Sequence, residues 1–164
     1  MILERCKMNL NELIKKDQLN INRKLDILCQ LADALHYLHM NNVIHGDIKP
    51  DNIMLSYCNQ IKIIDFDGKL LTKRNADPFL RPLGTHGWNA PEVSKKLNKN
   101  QGEKQDMSCT EKSDIFSMGL VFFFVMTDGV HPFEHPNSND STPLGHQKKI
   151  NADKKHPDFE RCKY

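Results

Sequence analysis

His45-Gly46-Asp47-Ile48-Lys49-Pro50-Asp51-Asn52, followed by Ile64-Asp65-Phe66-Asp67-Gly68, is the stretch on which the reading of this chain turns. It sets a carboxylate (Asp47), an ammonium (Lys49) and an amide (Asn52) at fixed offsets in one short loop. Two apolar runs follow, Ile53-Met54-Leu55 and Ile61-Lys62-Ile63-Ile64, separated by the polar turn Ser56 to Gln60. Short β-rich runs bounding such a turn predict a hairpin. Its return places a second carboxylate, Asp65, on the same edge as Asn52. One Asp-x-Lys would mean little, but two ordered polar motifs joined by a hairpin define a candidate site.

Upstream, Ile2-Leu3 reads as the end of a strand, and Asn9 with Glu12 has the spacing of a capping box for a helix through about Lys16. Ile21, Leu25, Leu28, Leu31, Ala32, Leu35 and Leu38 recur at three- and four-residue steps. They predict an amphipathic helix of about five turns ending near Asn41-Asn42. Downstream, Gly68 to Ala90 is expected to be a long ordered loop. Lys95 to Thr110 is polar enough to read as a flexible surface insertion. Ile115 to Met126, with Phe122-Phe123-Phe124, predicts a helix buried in a core and capped by Ser113 or a near neighbour. Beyond His135 the chain is polar and rich in Pro, Asn and Lys, with Leu144, Ile150 and Phe159 as apolar anchors.

The 164 residues suffice for one domain, and 38% hydrophobic with 27% charged content is that of an ordinary globular protein. A net charge of +2, with Lys and Arg spread along the chain, gives no case for nucleic acid. The five cysteines are widely spaced and form no CxxC, which argues against a disulfide framework or a zinc site and for free thiols in a reducing compartment. No signal peptide is expected at Met1-Ile2-Leu3-Glu4-Arg5. The Ile115–Met126 run has 12 residues, too few for a bilayer that takes about 20.

Taken together, these motifs resemble the C-terminal lobe of a protein kinase, entered at the hinge. Gly84-Thr85-His86-Gly87-Trp88-Asn89-Ala90-Pro91-Glu92 is similar to the end of an activation segment, and Ser113-Asp114-Ile115-Phe116-Ser117-Met118-Gly119 to the start of the central buried helix. The Gly-Thr-x-Gly-Trp-x-Ala-Pro-Glu run and Asp-Ile-Phe-Ser…Gly…His-Pro-Phe carry a narrower similarity to the inositol-requiring-enzyme and ribonuclease L type of kinase-endonuclease. The resemblance implies a mainly α, α+β kinase-like fold, C-terminal lobe only, with a small β-hairpin at the catalytic loop. It spans residues 1–134 with the insertion at 95–110, and 135–164 is left as a poorly anchored tail.

Carried over by position, Asp47 matches the catalytic base and Lys49 the lysine that steadies the transferred phosphoryl group. Asn52 and Asp65 match the Mg2+ ligands, with Lys49 and Asn52 also on the nucleotide side. Met54 matches the floor under the adenine of ATP. Structural roles fall to His45 and Phe66 beneath the metal motif, to Thr85 bridging Asp47 and Lys49, to Glu92 as one half of an ion pair, and to Asp114 as a brace for the loop backbone. The implied activity is transfer of the ATP γ-phosphate to protein Ser/Thr, of the unfolded-protein-response sensor type. The alternatives are a nucleotide-binding pseudokinase module or an inactive fragment. Implied partners are ATP, a protein substrate or the protein itself by trans-autophosphorylation, and a second copy in a full-length homodimer. No nucleic acid and no membrane are expected through this segment. The expected location is cytoplasmic, on the cytosolic side of the endoplasmic reticulum membrane if a membrane span accompanies it.

Three departures from the family pattern stand out. Gly46 occupies the place of an arginine, so no cation is expected there to receive an activation-loop phosphate. Asp67 stands where the metal motif has Gly, and a non-Gly residue resists positive φ. The chain enters at the hinge, without a glycine-rich loop or strand lysine, and is expected to be incompetent alone. Simpler readings apply elsewhere. His36, His39, His131 and His135 are expected to be solvated surface histidines, and Trp88 a packing anchor.

Overall fold

The computed structural model describes residues 4–65, 71–72, 84–97, 109–134 and 142–152. Ile2-Leu3, Phe66, Asp67, Gly68, residues 98–108 of the expected insertion, His135 and Phe159 lie outside them. The described chain runs β1 (Cys6–Asn9), α1 (Leu10–Lys16), α2 (Ile21–Met40), β2 (Val43–Ile44), β3 (Ile53–Ser56), β4 (Ile61–Ile63), β5 (Leu71–Thr72), α3 (Pro91–Leu97), α4 (Glu111–Met126) and α5 (Pro143–Asn151). Helices dominate, as expected, with the hairpin β3–β4 at the loop that carries Asp47 and Asn52.

Local chemistry sets the helix starts. Asn9 caps α1 through a complete capping box, its side chain accepting from Glu12 N at 2.9 Å while Glu12 accepts from Asn9 N at 3.0 Å. Asn20 caps α2 by accepting from Arg23 N. For α4 the cap is Thr110, with Ser113 at the third helical position completing the box. The helix thus starts one turn earlier than its apolar run suggests, because the capping pair is polar and invisible to periodicity.

The hairpin is joined by β1 into an antiparallel sheet of order β1-β3-β4, with Ile53 opposite Ile63 and Leu55 opposite Ile61. Asn59 turns the hairpin at φ 60°, a left-handed conformation that Asn tolerates. Ile53, Leu55 and Ile61 point into the core, whereas Met54 is half-buried on the other face, as the two-residue period of a strand requires. A second pairing, β2 with β5, places Ile44 opposite Leu71.

The core gathers α1 (Leu10, Leu13, Ile14), α2 (Ile27, Leu31, Leu35), the sheet (Ile53, Leu55, Ile61) and α4 (Met118, Val121, Phe124, Val125). On α2 the inward stripe is Lys24–Ile27–Leu31–Leu35, while Ile21, Leu25 and Ala32 are exposed. The sequence reading therefore found the helix but set its face about one residue off. Lys24 explains the shift. Its stem is buried and its ammonium bonds Asp128 Oδ2 (2.8 Å) and Met126 O (3.3 Å) at the C-terminal end of α4, where the helix dipole favours a cation.

Two further expectations need correction. The α4 helix is not buried throughout: Ile115 and Gly119 face outward. Within the supposed insertion and tail, residues 95–97 finish α3, Cys109 is buried, and 142–152 contain α5. Thr142 caps α5, and Gly145, His146, Gln147 and Ile150 are buried, with α5 packed against α3. Its polar side chains satisfy buried main-chain groups, so a polar composition hid an ordered helix.

The face of α2 is open to measurement. Leu31→Ala (0% exposed) should destabilise the chain by about 3 kcal/mol in urea unfolding, by transfer and cavity losses. Leu25→Ala (48% exposed) should cost under about 1 kcal/mol.

Candidate active site

The loop between β2 and β3 holds the candidate residues, and its backbone is fixed by one buried carboxylate. Asp114, in the first turn of α4 and 1% exposed, accepts from His45 N (2.9 Å, Oδ2) and Gly46 N (2.8 Å, Oδ1). Its Oδ2 also meets His39 Nε2 at 3.0 Å, from the last turn of α2. His39 is thus an internal partner of the loop brace rather than a solvated surface histidine. Gly46 sits at φ 75°, the left-handed region that glycine enters without steric cost. His45 is buried beneath the loop: its Nε2 donates to Ile64 O (2.9 Å), and its Nδ1 accepts from Asp47 N (3.2 Å). One imidazole therefore ties the two motifs together.

Around Asp47 the polar groups converge. Lys49 Nζ lies 3.0 Å from Asp47 Oδ2. The Thr85 hydroxyl donates to Asp47 Oδ1 at 2.7 Å and accepts from Lys49 Nζ at 2.6 Å. Asn52 Nδ2 reaches Asp47 O (2.9 Å) and Asp47 Oδ2 (3.1 Å), with a long contact of 3.5 Å to Asp65 Oδ2. Five residues that the sequence separates by up to 38 positions thus form one cluster of two carboxylates, an ammonium, an amide and a hydroxyl. Asp47 and Asn52 are buried, Lys49 and Thr85 half-buried, and Asp65 exposed. Asp65 holds φ 71°, strained for a non-Gly residue, and such strain persists only where surrounding contacts over-determine it.

The donor set suits a hard divalent cation: the Asp65 carboxylate and the Asn52 amide oxygen are the ligand types Mg2+ takes. Among the described residues no group of three or more His, Cys, Asp or Glu could hold a metal alone. A hard cation held by these two side chains would complete its shell with further oxygen ligands.

The activation-segment stretch is fastened from behind. Trp88 packs edge-on to Phe124 and to His131, with ring centroids 5.7 and 4.9 Å apart, which makes it the packing anchor expected. His131 is not solvated. It is 6% exposed, stacks face to face on His146 (4.0 Å, 5°), donates from Nε2 to Gly87 O (2.8 Å) and accepts Phe133 N at Nδ1 (3.2 Å). Burial, then the neighbouring His146 and Lys149, lower its pKa to about 4, against the raising effect of the Gly87 carbonyl. Sequence reading set this residue at the surface; the signals against that were its place in the His131-Pro132-Phe133 run that carries the family resemblance and the apolar setting of Gly129-Val130-His131-Pro132-Phe133.

Glu92 is exposed in the first turn of α3. Met54 lies on the half-buried face of β3, and Phe66 lies outside the described residues.

The profile of the protein kinase domain matches residues 1–163. The chain belongs to the protein kinase family. It is 39% identical over 102 residues to the mitogen-activated protein kinase kinase kinase dlk-1 of Caenorhabditis briggsae, covering 62% of this chain and 11% of that protein. It is 28% identical over 162 residues to ire1 of Schizosaccharomyces pombe, named as a sensor for unfolded proteins in the ER, covering 80% of this chain and 15% of that one. The chain therefore spans a small part of these curated relatives. Its fold matches a chain of the yeast RNA polymerase II CTD kinase complex CTDK-1 with a TM-score of 0.67, at 21% identity, over 90% of this chain and 44% of that one. Relatives of the inositol-requiring-enzyme type thus stand among others of this family, as the motifs suggested. No helix among the described residues is long and apolar enough to cross a membrane.

Two measurements probe this architecture. Asp114→Asn keeps one acceptor but turns an N–H2 toward a backbone N–H, and should cost about 1–3 kcal/mol in unfolding free energy. The His131 effect is one of pH. A histidine whose folded pKa (about 4) lies below its ordinary 6.5 stays neutral when folded, while the unfolded chain takes up a proton. Its contribution is complete above pH 6.5 and fades as pH falls toward 4. Between pH 7.5 and 5 the loss should be about 2 kcal/mol. His131→Asn should flatten the pH dependence by that amount in paired urea titrations.

Proposed function

We propose that this segment is the larger lobe of a serine/threonine protein kinase that transfers the γ-phosphoryl group of ATP to a protein hydroxyl. The observation that carries the proposal is the Thr85 hydroxyl set between Asp47 Oδ1 and Lys49 Nζ, at 2.7 and 2.6 Å. A hydroxyl held there has a carboxylate to take its proton and an ammonium to meet phosphate charge. In this reading Asp47 accepts the proton of the attacking Ser or Thr as its oxygen bonds the γ-phosphorus and ADP departs. Lys49 is oriented by Asp47 and Thr85 toward the transferred group. Asn52 and Asp65 would hold Mg2+, which supplies neutralisation of phosphate charge when bound. Met54, on the half-buried face of β3, would lie under the adenine.

The sensor-type reading, with autophosphorylation between two copies and a location on the cytosolic side of the endoplasmic reticulum, is supported by the likeness to the fission-yeast ire1 protein and by the Gly84–Glu92 run. Gly46 in place of an arginine supports switching by means other than activation-loop phosphate. In the full-length kinase that carries this segment, Asp47→Asn should lower kcat by about 10²–10⁴-fold while sparing MgATP affinity, because the base touches the hydroxyl rather than the nucleotide. Asp65→Asn should weaken magnesium-dependent nucleotide binding in calorimetry. Nucleotide binding without any phosphoryl transfer would instead make the segment part of a pseudokinase.

A further inference from the structure

Behind the candidate site, the backbone of three consecutive residues, Gly87 to Asn89, is held by side chains from α4, α5 and the loop that follows α4. Gln147, in the middle of α5 and 2% exposed, accepts from Gly87 N (2.9 Å) and donates to Asn89 O (3.1 Å). His131 donates to Gly87 O (2.8 Å), and Ser117 of α4 donates to Trp88 O (2.7 Å). Gly87 has φ 90°, and a Cβ there would stand 3.3 Å from Pro143 O, so α5 is seated directly on this backbone. The segment is continuous with the site, because Trp88 N donates to Thr85 O (3.1 Å) and Thr85 bridges Asp47 and Lys49.

A neutral primary amide suits this place for a stated reason. The two main-chain atoms facing the end of Gln147 are one donor and one acceptor, and an amide presents one acceptor and one donor at once. A carboxylate offers two acceptors and an apolar end offers neither. In the kinase reading an acceptor hydroxyl at Asp47 would stand beside Thr85, which bonds Asp47 Oδ1 at 2.7 Å, so the residues flanking it would approach the adjoining 86–88 backbone that the clamp holds.

We infer that Gln147 is a positioning residue for the protein substrate: it holds the 87–89 backbone on which the acceptor peptide rests, without touching nucleotide or the reacting atoms. The inference rests on the kinase reading above. The nucleotide side, built on β3, Asn52 and Asp65, is not contacted by Gln147, so the two substrates should respond differently to its loss.

The test uses the full-length kinase and a serine peptide drawn from a degenerate library by the wild type. Gln147→Met should raise the peptide KM about tenfold, since two buried main-chain groups lose their partners. The ATP KM should change by less than about twofold, because a positioning loss acts only where the displaced backbone meets its ligand. In Gln147→Glu the carboxyl, pushed up by burial, takes a proton as pH falls and again donates to Asn89 O. Its peptide KM, divided by the wild-type value at the same pH, should fall toward one between pH 8 and 6. That ratio decides the matter if the Met variant does not fold. An unchanged peptide KM in an active kinase, or a rise matched by ATP KM with a ratio flat in pH, overturns the positioning role alone. Absence of transfer by the wild type overturns the kinase reading, and this inference with it.

Discussion

Most of the site depends on where one carboxylate is buried. Asp114 sits at 1% exposure in the first turn of α4, and its two oxygens take the amides of His45 and Gly46. A buried carboxylate is tolerated because it is met by charge-assisted hydrogen bonds and by the N-terminal end of a helix, which favours negative charge. His39, 75 residues earlier in the chain, closes the same group from the end of α2. The central helix, the preceding helix and the loop thus meet at one point. The loop can then hold Gly46 in a left-handed conformation and still present Asp47 at a fixed angle to Lys49 and Asn52. Without that anchor the loop has too few apolar side chains to define its own path; Ile48 and Pro50 are the ones it buries.

A second set of restraints works on the other wall of the site, and it is of a different kind. Where the loop is held by one charge, the 87–89 backbone is held by neutral groups: an amide, a hydroxyl and an imidazole. Neutral donors and acceptors lose less on burial than ions do, so a clamp of this kind can sit deep without needing counter-charges. The imidazole is the exception in waiting. Both nitrogens of His131 are committed, one donating and one accepting, and its ring is stacked on His146. Any proton it takes up must break the bond from Phe133 N. The wall that carries Thr85 is therefore coupled to acidity through a group that is not part of the proton-transfer chemistry.

What could be read from the sequence divides along physical lines. The capping box at Asn9 and Glu12, the length of α2, the β3–β4 hairpin and the residues of the Asp47 cluster were legible, because local spacing and motif order encode them. The inward face of α2 was not, since Leu25 and Leu28 fit a stripe as well as Ile27 does. Only the burial of Lys24 against the end of α4 settles the choice. Thr110 as the cap of α4 was invisible to an argument based on apolar period. The ordered α5 and the burial of His131 were missed for one reason. Polar residues were read as solvated, whereas here Gln147 and His131 are buried because they satisfy main-chain groups of a segment some 44 to 60 residues away.

The charge arrangement around Asn52 gives a reason why the site is built half buried and half open. Asn52 Nδ2 contacts oxygens of both Asp47 and Asp65, so the two carboxylates can be no further apart than the sum of those two contacts. Like charges that close repel unless something positive lies between or beside them. Asp47 has Lys49 beside it, within the protein. Asp65, held strained at φ 71°, lies on the exposed side. The strain is tolerated because the Ile64 carbonyl just before it is bonded to buried His45. The closed half holds Asp47 in register with Thr85, whose hydroxyl donates to its Oδ1 at 2.7 Å, while Asp65 stands on the open side.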